Sequence, residues 1–291
     1  MPNRTPIALV LLFCGPVFAG YVEDRETAVN LVQDRKYEEA MAAFRQMAGG
    51  EVTEFQKSDA LEQAAHCARR LEKFDLAMEL ADRIPLEAVA KTVRMQNLLA
   101  MRKPAELVEQ FKDEDIGAWP WWKAGESSFA RGRAFCEVGD GRAAEADLSQ
   151  AVELTTDDLA RAQVWLTLGR NREENLGDDD KALAAYSKVV AMEKHRGNSV
   201  YFRGLLSAAK ILCKHAKHDE AEAVLRKVNA HELRGYWHGA MLCALGDLLA
   251  GAGRRDEALA AYQEVLADEQ AHPSHRKAAR EAIASLQAGA K

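Results

Sequence analysis

The chain has 291 residues, 48% of them hydrophobic, with 45 acidic against 39 basic residues and a formal charge of −6. A mild negative balance without a basic block excludes a general nucleic-acid binder, which needs a Lys/Arg footprint to displace counterions. Seven prolines and 7% aromatic residues exclude a proline-rich linker and disfavour a β-sandwich, and the abundance of alanine, leucine and glutamate points to helix.

Residues 1–19 read as a signal peptide. Arg4 supplies the positive start, Ile7 to Phe18 is uncharged and apolar, and Val17 and Ala19 put small residues three and one before a cut at Gly20. A bilayer span needs about 20 apolar residues, and this stretch is shorter and interrupted by Gly15 and Pro16. A lipoprotein reading competes, because Leu11 to Gly15 loosely matches a lipobox around Cys14, with Phe13 where a small residue is usual. The expectation is export to the periplasm or the exterior, with no stable membrane span after cleavage. The remaining cysteines, Cys67, Cys136, Cys213 and Cys243, are widely spaced and are expected as buried thiols serving as small apolar residues.

From residue 20 onward the chain repeats itself. The stretches Tyr37–Phe44, Phe74–Ala81, Pro104–Phe111, Gly141–Leu148, Asp179–Tyr186, His218–Leu225 and Arg255–Tyr262 align on Ala40, Ala77, Leu107, Ala144, Ala182, Ala221 and Ala258, spaced 37, 30, 37, 38, 39 and 37 apart. Each stretch puts a small or apolar residue four positions before another apolar one, on one helix face. A second apolar-periodic segment precedes each, as in Trp165-x-x-Leu168-Gly169 and Leu242-x-x-Leu245-Gly246. Gly132, Gly169 and Gly246 are expected where paired helices approach closely, and Tyr186 and Tyr262 are expected to fill space toward the following hairpin. Pro85, Pro104, Pro120 and Pro273 all fall at expected helix ends. After Pro273, Ser274 is expected to cap a last helix through about Leu286.

The pattern resembles the tetratricopeptide repeat family, whose motif is W-x2-L-G-x2-Y, then A-x3-F, then P, over about 34 residues. Arg172 stands in for the motif's aromatic residue, Leu107 for its alanine, and most closing prolines are missing. The resemblance implies an all-α, right-handed superhelical solenoid of about seven hairpins over 20–273, with a capping helix and tail over 274–291.

Catalytic signals are absent from the sequence: there is no G-x-S-x-G, no P-loop, and no G-x-G-x-x-G after a strand. His195, His215, His218, His231, His238, His272 and His275 crowd the second half, and the pairs 215/218 and 272/275 have a spacing that suits one helix face. A zinc site needs three or four convergent ligands, so no metal or cofactor is expected and the histidines read as loop and helix-end residues. A metal-dependent or catalytic role in this half is the less favoured reading. Trp119, Trp121 and Trp122 surround Pro120 where the 30-residue third copy ends. They suit either an aromatic shelf for a peptide or glycan or a wedge beside the short third hairpin, the wedge being favoured because tryptophan acts mostly through buried area.

In the family, first helices line the concave surface. By that resemblance Arg69, Arg70, Arg133, Arg170, Arg203, Lys210 and Lys214 are placed toward a groove, with Glu137, Glu173 and Glu174 among them. The family's carboxylate clamp of Lys and Asn is missing, since Arg25, Glu62, Thr92, Phe129 and Leu166 occupy its slot. The expected binding set is Arg133, Arg170, Lys210, Lys214 and Glu173 for electrostatics, with Phe129 and Leu166 for apolar contact. These cations suit a protein or peptide partner with an acidic segment, although long basic stems also simply cover helix surface. The expected function is a non-catalytic protein-binding scaffold, the alternative being a structural accessory of an envelope assembly or export complex.

Overall fold

The computed structural model describes residues 16–195, 197–227 and 236–288, with side chains from residue 20. Most of the expected signal segment, with Arg4 and Cys14, and His231 lie outside the described residues. Fifteen α-helices and no strands occur among the described residues. The chain forms two compact units, 1–134 and 135–291.

The first unit holds three hairpins: α1 (Pro16–Gln33) with α2 (Tyr37–Gly49), α3 (Glu54–Arg70) with α4 (Phe74–Asp82), and α5 (Glu87–Ala100) with α6 (Pro104–Phe111). A 3-10 turn at Ile116–Ala118 leads into α7 (Trp121–Val138). The expected cleavage point, Ala19–Gly20, falls within α1.

In the second unit come α8 (Gly141–Leu154), then α9 (Asp158–Glu174) with α10 (Asp179–Val190), α11 (Ser199–Lys214) with α12 (His218–Leu225), α13 (Tyr236–Gly251) with α14 (Arg255–Ala267), and α15 (Pro273–Ala288). Each of the seven aligned stretches opens a helix at its first residue, from Tyr37 to Arg255. The aligned residues Ala40, Ala77, Leu107, Ala144, Ala182, Ala221 and Ala258 are all 0% exposed. Four residues on, Phe44, Leu148, Tyr186, Leu225 and Tyr262 are buried as well. No hairpin could bury this much apolar surface alone, so each packs on the next.

One device closes every hairpin. The turn residue is left-handed at Arg35, Glu72, Arg102, Gly139, Gly177, Ala216 and Gly253, with φ from 56° to 84°. In six of them the next amide donates five residues back, as Lys217 N does to Leu212 O at 2.8 Å, which satisfies a carbonyl orphaned at the end of the first helix. The α9–α10 turn is one residue longer, and Asp178 N donates to Arg172 O at 2.8 Å.

Tyr186 and Tyr262 lie over the glycine of their own hairpin: a Cβ on Gly169 would lie 2.5 Å from Tyr186 Cε1, and one on Gly246 would lie 2.6 Å from Tyr262 Cε1. Each also shares an apolar cluster with the element that follows, Tyr186 with Val200 and Ala208 of α11 and Tyr262 with Ala279 of α15. One expectation about local structure is corrected. Ser274 does not cap α15. Proline takes the first helical position, where its missing N–H costs nothing, and the Ser274 amide donates to Nδ1 of His272 at 3.3 Å.

Candidate functional site

Counting twelve residues back from the aligned second-helix positions (thirteen for Ala182) reaches Ala28, Ala65, Met95, Gly132, Gly169, Ala209 and Gly246 on the first helices. All seven are buried. The residue after each is Val29, His66, Gln96 or Arg133 in the first unit, and Arg170, Lys210 or Asp247 in the second. Within each unit these mostly polar positions share one register on first helices that touch one another, α3 with α5, α9 with α11 and α11 with α13.

In the first unit that face is a connected polar network. Arg25 grips Asp59 through Nε and Nη2 at 2.6 and 3.0 Å, and Tyr21 donates to the same carboxylate at 2.9 Å. Arg69 donates to Gln96 Oε1 at 2.5 Å and to Asn97 Oδ1 at 3.4 Å, while Gln96 donates to Glu126. Lys123, only 6% exposed, is held by Glu62 on α3 and by Glu126 at 2.9 Å. Burial pushes the Glu62 carboxyl up, with Lys123 opposing it, and burial followed by the charges of Arg69 and Arg70 pushes His66 down. Beneath lie the hydroxyls of Thr92 and Ser127, 2.7 Å apart and fully buried. Arg69 is therefore committed to its neighbours rather than offered to a partner, and Arg133 lies over its own Phe129 ring at 5.8 Å.

The reach from Lys123 to Glu62 spans 61 residues and passes over α5. Trp122 makes the same crossing: it packs against the first unit's buried cluster and meets Phe55 of α3 edge-on at 5.7 Å. The short third hairpin allows both contacts, so Trp122 acts as the expected wedge. Trp121 does not, being 58% exposed.

In the second unit three anions at or beside the face are engaged, while Glu174, four residues after Arg170, is exposed. Glu173 receives Lys210 at 2.7 Å and the Tyr186 hydroxyl at 2.9 Å. Asp179 receives Lys214 at 2.6 Å and His215 at 2.8 Å, and these bonds hold its carboxyl below the usual range. Asp247 accepts the Tyr262 hydroxyl at 2.5 Å. Arg170 and Arg203, by contrast, have no polar partner among the described residues. Arg203, Leu206, Lys210 and Cys213 follow one face of α11, and the last three line a cavity of about 350 Å³ shared with Leu225, Ala244 and Leu248. Most of its lining is apolar, with His218 and Asp247 also at the wall, and it opens where α12, with eight residues, is a short partner for α11 and α13.

Several expected roles change. Leu166 is 7% exposed inside the apolar cluster of α9–α11, so it offers no surface to a partner. Lys210 and Lys214, both mostly exposed, bridge to Glu173 of α9 and Asp179 of α10. His215 ends α11 and His218 begins α12, so this pair is split by a turn instead of sharing a helix face. His272 and His275 do sit together, ring centroids 5.9 Å apart beside Tyr236. No three His, Cys, Asp or Glu side chains converge among the described residues. Among the described cysteines Cys67 is fully buried, while Cys136, Cys213 and Cys243 are half-buried; burial raises Cys67 and Cys243 to about 11. Arg172, in the motif's aromatic slot, clamps Glu145 of α8 with Nη2 at 2.7 Å and Nε at 3.1 Å. No helix among the described residues is long and apolar enough to cross a membrane.

No protein-family model and no curated protein sequence matches the chain. Solved structures do. The C-terminal part of a TPR repeat-containing protein from Cytophaga hutchinsonii aligns with a TM-score of 0.52 at 17% identity, over 87% of this chain and 98% of that one. A tetratricopeptide repeat protein from Parabacteroides merdae aligns with a TM-score of 0.46 at 12% identity, over 92% of this chain and 98% of that one.

Proposed function

Given a chain with the tetratricopeptide-repeat fold, we propose that it is a non-catalytic scaffold of the cell envelope or exterior, binding a protein partner on the first-helix face of its second unit. The observation that carries this reading is the pair Arg170 and Arg203. Two guanidinium groups stand without an acceptor on a face whose Glu173, Asp179 and Asp247 are already taken up by internal donors. Planar guanidinium forks suit carboxylates, and the adjoining cavity of about 350 Å³ accepts an aliphatic side chain. An acidic segment carrying one bulky apolar residue fits both. The partner would bridge hairpins, the use to which tandem repeats are suited.

A benzophenone amino acid placed at position 170 or 203 tests this in intact cells. The expected result is one cross-linked protein at both positions and none at Lys188 on α10. Cross-links at position 188 alone would move the binding surface elsewhere.

Export rests on the composition of residues 1–19. Protein recovered outside the cytoplasm should begin at Gly20. A chain beginning at Met1, or one lipidated at Cys14, would contradict cleavage at that point.

A further inference from the structure

Trp119, Trp121 and Trp122 lie at the junction into α7, and only part of their surface is used in packing. Trp121 is 58% exposed, and Phe55, the edge-on partner of Trp122, is 56% exposed. Beside them opens a cavity of about 330 Å³ lined by Leu86, Ala88, Trp119, Pro120 and Trp122, with Glu87 and Lys91 at its edge. Aromatic side chains left in water around a concavity are the residue types that dominate binding energies at interfaces.

The indole faces here already accept cations. Lys91 Nζ lies 5.7 Å from the Trp119 ring and Lys123 Nζ lies 6.0 Å from the Trp122 ring. Trp121 has no such neighbour among the described residues. The surrounding charge is negative: Lys91 is shared by Glu87 at 2.8 Å and Glu114 at 2.6 Å, and Lys112 is taken by Glu109. Asp113 and Asp115 are exposed in the same connection that carries Trp119, and Asp113 shares the charge of Lys112 with Glu109.

We propose that this aromatic, acid-flanked edge is a second binding surface, taking a basic extended segment of a partner protein with an arginine stacked on Trp121. Arginine over tryptophan is the favoured cation–π pairing, and Asp113 and Asp115 complement the charge. An anionic lipid surface or a nucleic acid would be repelled by the same carboxylates. The surface does not use the arginines of the second unit and stands independently of the role given to them.

The test is a titration of the nitrogen-15-labelled protein with the peptide acetyl-Leu-Pro-Arg-Leu-amide, followed at the five tryptophan indole N–H signals. Signals of Trp119, Trp121 and Trp122 should shift saturably, while those of Trp165 and Trp237 stay still. Trp121→Ala should abolish the response, and Asp113→Asn with Asp115→Asn should weaken it at least fivefold, all with unchanged thermal melts because these side chains are exposed. The same shifts with glutamate in place of the peptide's arginine, or no shift at millimolar peptide, would overturn the proposal. So would a response to phosphatidylglycerol vesicles in place of the peptide.

Discussion

Gly246 of α13 and Tyr262 of α14 form a pair in which the absence of one side chain makes room for the other: an added Cβ would meet Tyr262 Cε1 at 2.6 Å. Gly169 and Tyr186 repeat the pair at 2.5 Å. Both tyrosine hydroxyls are anchored, to Asp247 and Glu173, so neither ring can swing away freely.

Gly246→Ala should therefore destabilise the protein by about 1–3 kcal/mol through overpacking, despite the better helix propensity of alanine. Gly251→Ala, with nothing within 4 Å of its added methyl, should be neutral or slightly stabilising. Urea unfolding of the two variants measures the contrast, and equal midpoints would show that the tyrosine ring yields.

The left-handed turn residues offer the reverse effect. Ala216 holds a φ of 56° without being glycine, a conformation that costs an L-residue roughly 1–2 kcal/mol. Ala216→Gly should raise stability by about 0.5–1 kcal/mol, since the flexibility of glycine in the unfolded chain offsets part of the relief. Thermal melts with a midpoint at or below wild type would contradict it.

Lys123 is the buried link over the third hairpin. Lys123→Met removes the one cation bonded to Glu62, leaving only the more distant charges of Arg25 and Arg69, and should cost about 3–5 kcal/mol at neutral pH. The double variant with Glu62→Gln should recover most of that loss, and a double-mutant cycle in urea reads the coupling. The Glu62 carboxyl already titrates above its ordinary value because of burial. Its protonated form is thus favoured by folding, and the Lys123→Met defect should shrink as pH falls toward the carboxylate range.

His66 sets a pH dependence of the opposite sense. Burial, with Arg69 and Arg70 nearby, keeps it neutral in the folded chain below its ordinary value near 6.5. As pH falls through that value the unfolded chain takes up the proton first, so stability declines from there down to the folded value. Melting temperatures between pH 7.5 and 5.5 should fall less steeply in His66→Gln than in wild type.

The hairpins were legible in the sequence because they are local. A small residue at a repeated depth and an apolar one four positions later mark a helix wherever they occur, which is why all seven second helices begin at the first residue of their aligned stretch. Contacts that skip a hairpin leave no such trace. Lys123 with Glu62, and Trp122 with Phe55, depend on how short α5 and α6 are, and neither pair is periodic. The first-helix register was partly legible: the positions of Arg170 and Arg203 follow from it. That Lys210 and Lys214 answer to Glu173 and Asp179, or that Leu166 turns inward, depends on rotation about the helix axis, which the repeat spacing leaves free.

The most direct test of the scaffold is the affinity of the partner cross-linked at position 203 for the charge-reversed variant Arg170→Glu, Arg203→Glu. With thermal melts unchanged, the account predicts at least a tenfold loss of affinity and a weakened dependence on salt. Wild-type affinity in that variant would contradict it.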